Sequence, residues 1–164
     1  MTTTRNSAPR PRKTLVPDAA EVTKTCPALQ ARMAARRITA FMEAAMRGTG
    51  LSSPQFGLLA HIAASPEGTI GSLAERLGLD QSTLSRNLRG LERDGLVEIV
   101  VAEEDLRRRA VWLTEGGARR LEAAIPAWRE AMAGLAGLID LGRIAAVTAD
   151  TAALSAGAIS RTRA

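Results

Sequence analysis

The chain has 164 residues, of which 46% are hydrophobic, 24% charged and only 2% aromatic, with a net charge of +5. Its single cysteine excludes an internal disulfide framework, and one histidine beside one cysteine cannot supply an ordinary four-ligand zinc site. No apolar run approaches the roughly 18 residues of a membrane span, and no apolar core of a signal peptide is present, so a cytoplasmic protein with no membrane partner is expected.

Residues 1–25 carry Arg5, Arg10, Arg12, Lys13 and Lys24 against Asp18 and Glu21, and they are rich in threonine and proline without apolar periodicity. This composition predicts a disordered basic tail, with auxiliary phosphate contacts as the alternative to plain disorder. From Pro27 to about Arg47, Leu29, Met33, Ile38, Phe41 and Ala45 recur near helical spacing, and Pro27 suits a first helical turn. Ser52 and Gln55 form an S-x-x-Q capping box for a helix reaching about Ala64.

Thr69 then caps a short helix whose apolar side is Leu73, Ala74 and Leu77, and Gly78 ends it. Only Gly78, Leu79 and Asp80 separate this helix from a second one capped by Asp80 and closed by Gly95. Leu84, Leu88 and Leu91 follow i, i+4, i+7 spacing, while Ser82, Arg86, Arg89 and Arg93 fall on the opposite side at about 100° per residue. An amphipathic surface helix with a solvated face has the same pattern. The arginine face, however, lacks neutralising carboxylates, which lie at its flanks as Glu92 and Asp94.

Val97, Ile99 and Val101 alternate along a first short strand, and Ala110–Leu113 forms a second, with Glu103–Arg109 expected as a long polar hairpin loop. Trp112 on this hairpin reads as a packing residue. Thr114 caps a long helix bearing Leu121, Ile125, Trp128, Met132, Leu135 and Ile139, with Pro126 inside it. A final helix carries Ile144, Val147, Thr151 and Leu154.

A short helix, a tight turn, a second helix and an arginine-tipped hairpin make a layout that fits double-stranded DNA, with the second helix in the major groove and the tip in the minor groove. Residues 80–109 hold six arginines against seven acids, a local balance of −1, so the case rests on where arginines point and not on bulk charge. Ser82, Thr83, Ser85 and Arg86 lie early in the helix and are the candidates for base edges; Arg89 is the candidate for phosphate. No catalytic residues, no metal and no cofactor are expected. Neither a phosphate-binding G-x-x-x-x-G-K-[ST] nor a dinucleotide G-x-G-x-x-G is present, and no Ser-His-Asp context exists.

The stretch Leu51–Thr114 resembles the winged helix-turn-helix domain of the MarR (multiple antibiotic resistance regulator) family. The resemblance is carried by LSSPQFGLL (51–59), LAERLGLDQSTLSRNLRGLERDGLVE (73–98) and Asp105, Arg107, Leu113 and Thr114. It implies a mainly α fold (an α+β winged helix), with a DNA-binding lobe over about 51–114 and dimerisation helices over about 27–48 and 115–160, all within one domain spanning 26–160. It also implies a homodimer that binds a pseudo-palindromic promoter site through recognition helix 81–94 and wing 97–113, with repression as the expected action. Asp105 would position the wing-tip Arg107, with Arg108 and Arg109 beside it.

A phenolic or other small aromatic effector follows from the same resemblance. His61, Met33, Phe41, Met42 and Trp128 are the pocket candidates, although a lone histidine is more often structural and Trp128 reads first as a packing residue. Cys26 precedes the first predicted helix, near where a peroxide-sensing branch of the family carries its reactive cysteine. A thiol- or peroxide-responsive repressor is therefore an alternative to an incidental half-buried thiol. A winged helix used as a protein-interaction module is the remaining alternative.

Overall fold

The computed structural model describes residues 14–65, 68–102, 105–152 and 154, with the side chains of 101, 102 and 105–108 excluded. The chain divides into two compact units, Met1–Ala40 and Phe41–Ala164.

In the first unit, α1 (Leu15–Thr25) is followed directly by the start of α2 (Pro27–Ala45). Helix α1 corrects the expectation of disorder over the described part of 1–25. Pro17 sits in the first turn, where a missing N–H costs nothing, and Asp18 complements the helix N-terminus. Its apolar side chains remain outside any core: none of its residues is buried. Cys26 breaks the two helices apart with an extended ψ of 113°, as the residue before a proline is driven to do.

In the second unit, the end of α2 leads to α3 (Ser53–Ala63), α4 (Ile70–Leu77), α5 (Gln81–Arg93), β1 (Val97–Ala102), β2 (Asp105–Leu113), α6 (Glu115–Ala136) and α7 (Leu141–Thr151). The mainly helical winged architecture expected from the sequence is therefore present. The capping box of α3 is complete: Ser52 Oγ accepts from Gln55 N at 3.3 Å, and Gln55 Oε1 accepts from Ser52 N at 2.9 Å. Thr69 caps α4 through Ser72 N, and Gly78 closes it at φ +62°. Helix α5 ends the same way, with Gly95 at φ +70° and Leu96 N–H donating to the Leu91 carbonyl at 2.9 Å.

Strands β1 and β2 pair antiparallel, from Val97 opposite Leu113 to Val101 opposite Arg109. Ala102 then pairs with Asp105, so residues 106–108 are extra on β2 and the ladder is irregular there. This corrects the expected loop: Asp105–Arg109 belong to the strand, held at its two ends by the pairing of Asp105 with Ala102 and of Arg109 with Val101. Thr69 also bridges to Ala110, tying the start of α4 to the wing.

One core joins α3, α4, α5, the two strands and α6. Leu59, Leu84, Leu88 and Ala124 are completely buried, and Leu73, Leu91, Val97 and Val111 nearly so. The leucine stripe of α5 thus faces inward, which turns its arginine side outward. Trp112 departs from its expected packing role, since it is 47% exposed on the outer face of the wing, opposite exposed Glu98. Helix α6 continues through Pro126, and α7 leaves it at 99°. Among the described residues no single helix is long and apolar enough to cross a membrane.

Candidate nucleic-acid interface

Helix α5 is aimed by its N-cap residue. Asp80 Oδ1 accepts from Thr83 N at 2.8 Å, which caps the helix. The same carboxylate also accepts the hydroxyls of Ser82, at 2.6 Å on Oδ1, and Thr83, at 2.7 Å on Oδ2. These hydrogen bonds, the Ser82 hydroxyl foremost, hold the Asp80 carboxyl well below the usual carboxylate range, with the nearby Arg86 charge adding to the effect. Sequence reading finds the cap and names Ser82 and Thr83 as base-edge candidates but misses their bonds to the Asp80 carboxylate; hydroxyl residues at +2 and +3 after an N-cap Asp are the available signal.

Ser82, Arg86 and Arg89 are exposed on one side of α5, and Thr83 and Ser85 are half-buried at its flank. Arg86 Nε reaches back to the Ser82 carbonyl at 3.4 Å, which lays the side chain along the helix with its two Nη groups beyond that contact. Among the described residues, the ion pairs are Arg119–Glu115 and Arg143–Asp140, so the arginines of α5 take part in none of them. On the wing, Arg109 is exposed at the end of the regular ladder. Asp105, Arg107 and Arg108 lie in β2, but their side chains fall outside the described residues.

The remaining candidates are scattered. His61 is exposed on α3, Met42 is buried at the end of α2, and half-buried Phe41 lies near Gly134. Trp128 stacks on Phe56 with ring centroids 6.1 Å apart. Met33 is 41% exposed in the first unit, and Cys26 there is half-buried. A cavity of about 470 Å³ lies elsewhere, between α3 and α5, where Ser52, Gln55, Arg86, Asn87 and Gly90 line it. None of the expected pocket residues borders this cavity, and Asn87 and Gln55 carry no such signal in the sequence because only the approach of the two helices brings them together. No group of three or more potential metal ligands exists among the described residues.

Three helices with a three-residue turn before the outward-facing one, followed by a hairpin and a long helix, define a winged helix-turn-helix protein. The MarR family model matches residues 49–108. The transcriptional regulator HosA of Escherichia coli O127:H6 is 38% identical over 76 residues, covering 46% of this chain and 56% of that protein. The chain thus spans about half the length of the curated relatives it matches. The transcriptional regulator MosR of M. tuberculosis, solved in complex with DNA, is 32% identical with a TM-score of 0.71, covering 85% of this chain and 99% of that one. A single-residue mutant of E. coli MarR, solved with operator DNA, shares the fold at a TM-score of 0.68 and 22% identity, over 77% of this chain and 92% of its own. The chain belongs to the MarR family, and these relatives are transcriptional regulators, not enzymes.

Proposed function

We propose that this chain is a sequence-specific DNA-binding transcriptional regulator that acts as a homodimeric repressor in the cytoplasm, where its promoter target lies. The observation that carries the reading is the division of α5 into a buried leucine face and an outward face of Ser82, Arg86 and Arg89. A helix built this way inserts its early residues into the major groove, with the wing beside the adjoining minor groove. MosR, which is similar over nearly its whole length, is known with DNA bound.

Dimerisation is supported by apolar side chains that no core covers. Leu138 is 70% exposed and Val147 56%, and α7 has no buried residue at all. Large exposed apolar patches of this kind mark association surfaces. Two copies related by a two-fold axis read half-sites about one helical turn apart, near roughly 34 Å. The expected release signal is a small aromatic or phenolic molecule, and a cavity of about 470 Å³ beside Arg86 is within the usual size range of small-molecule sites.

The test is fluorescence anisotropy with a labelled duplex from the upstream region of its own gene, run across salt concentrations, with light scattering for mass. Binding that falls steeply with salt, survives excess scrambled duplex and involves a dimer supports the reading. Equal affinity for scrambled DNA, or a monomeric mass at micromolar concentration, overturns it.

A further inference from the structure

We propose that Asp80 makes Ser82 and Thr83 obligate hydrogen-bond acceptors, so that the first turn of α5 selects base edges that donate, the N6 amino group of adenine or the N4 amino group of cytosine. This deepens the DNA-binding reading above and rests on it.

A serine or threonine hydroxyl ordinarily serves either partner, because it has one hydrogen to give and two lone pairs to accept with. It therefore carries little sequence information by itself. An ionised carboxylate has no hydrogen, so an oxygen–oxygen contact of 2.6 or 2.7 Å with a hydroxyl requires the hydroxyl's hydrogen between them. Asp80 makes both contacts at once, one through each carboxylate oxygen, while Oδ1 also takes the Thr83 amide. Both hydroxyl hydrogens are consumed in charge-assisted bonds, which are the stronger kind. The lone pairs left over on Ser82 and Thr83 are acceptors only. In the major groove the exocyclic donors are the N6 amino group of adenine and the N4 amino group of cytosine, whereas guanine N7 and O6, adenine N7 and thymine O4 are acceptors and would meet lone pair with lone pair.

Ser82 is exposed and Thr83 half-buried, so Ser82 is the residue that reaches the base. Asp80 is a positioning residue acting through it. The carboxylate stays ionised through the physiological range, since these same bonds hold it below the usual carboxylate range, so the polarity of the two hydroxyls does not reverse.

The experiment begins with a random-sequence duplex pool from which the full-length wild-type protein selects its own site. Duplexes of that site are then made with purine in place of single adenines, or 2-pyrimidinone in place of single cytosines, each lacking only the amino group. Wild type is expected to lose roughly 10-fold in affinity at one such position per half-site. Ser82→Ala should lose that sensitivity alone. Asp80→Ala removes the oxygen that holds the Ser82 hydroxyl, so that hydroxyl regains a hydrogen to donate and base preference at that position should relax toward thymine or guanine, with a modest fall in melting temperature from the lost cap. Failure of every amino deletion to weaken a sequence-specific complex overturns the inference and leaves the DNA-binding reading standing. Unchanged base preference in both variants does the same. A wild type that enriches no sequence from the pool overturns the DNA-binding reading itself. Should Asp80→Ala not fold, the Ser82→Ala comparison decides alone.

Discussion

The hydroxyl of Thr114 donates to the carbonyl of Gly95 at 2.7 Å and at the same time accepts from Gly117 N at 2.9 Å. One side chain therefore closes the corner after α5 and caps the start of α6. The Thr114 amide adds a third tie, donating to the Leu96 carbonyl at 3.2 Å. This corner is where the outward-facing helix is fixed to the rest of its unit.

Gly117 shows how tight that corner is. A Cβ at this position would lie 1.9 Å from the Leu96 carbonyl oxygen, a backbone atom that cannot swing aside. Gly117→Ala is expected to cost about 1–3 kcal/mol or more, the range of overpacking. Gly116→Ala, whose nearest neighbours would be 3.6 Å away, serves as the control. Urea unfolding followed by circular dichroism compares the two, and similar midpoints would show that the corner gives way.

Leu88 is completely buried in the stripe that holds α5 down. Leu88→Ala is expected to destabilise by about 2–5 kcal/mol, as deletions of buried leucine side chains do. The same unfolding measurement reads it, and a loss near that of an exposed position would mean that α5 is held by something other than its leucine face.

Arg86 and Arg89 are both exposed on the outward side of α5 but stand at different depths along it. Arg86→Ala should remove about 1–3 kcal/mol of discrimination against the wrong base. Arg89→Ala should weaken specific and scrambled duplexes alike and lower the salt slope by about 1. Anisotropy titrations at several salt concentrations separate these outcomes; identical profiles for the two variants would count against the assigned roles.

The Asp80 carboxyl titrates lower in the folded protein than in the unfolded chain. A depressed carboxylate stabilises the fold fully above its unfolded value of about 3.9, and that contribution is lost as pH falls below it. The advantage of wild type over Asp80→Asn should therefore be constant from neutral pH to about pH 5 and shrink on further acidification. Thermal unfolding from neutral pH down to about pH 2 measures this, and a gap that widens in acid would reverse the sign.

Helix ends are legible from residue types alone. Ser52, Thr69, Asp80 and Thr114 each cap a helix through the third residue on, and Gly78 and Gly95 adopt positive φ as their places after a helix demand. The leucines of α5 are legible for the same local reason. Helix α1 is not, because Pro17 in a basic, threonine-rich stretch reads as a breaker, and its harmless placement in a first turn depends on where the helix begins. The early start of β2 at Asp105 depends on its pairing with Ala102, a contact between strands that charged residues do not advertise. The cavity beside Arg86 and Asn87 arises only when α3 and α5 approach, so no spacing along the chain foretells it.

The Thr114 corner also sets the smallest segment that can be transplanted between relatives. Exchanging α5 with its N-cap alone would carry over Asp80 and the hydroxyls it holds but leave Gly95, Leu96, Thr114 and Gly117 to fit a foreign helix end. A chimera that is to keep the angle of α5 needs the unbroken piece from Asp80 to Gly117, wing included, as its interchangeable cassette.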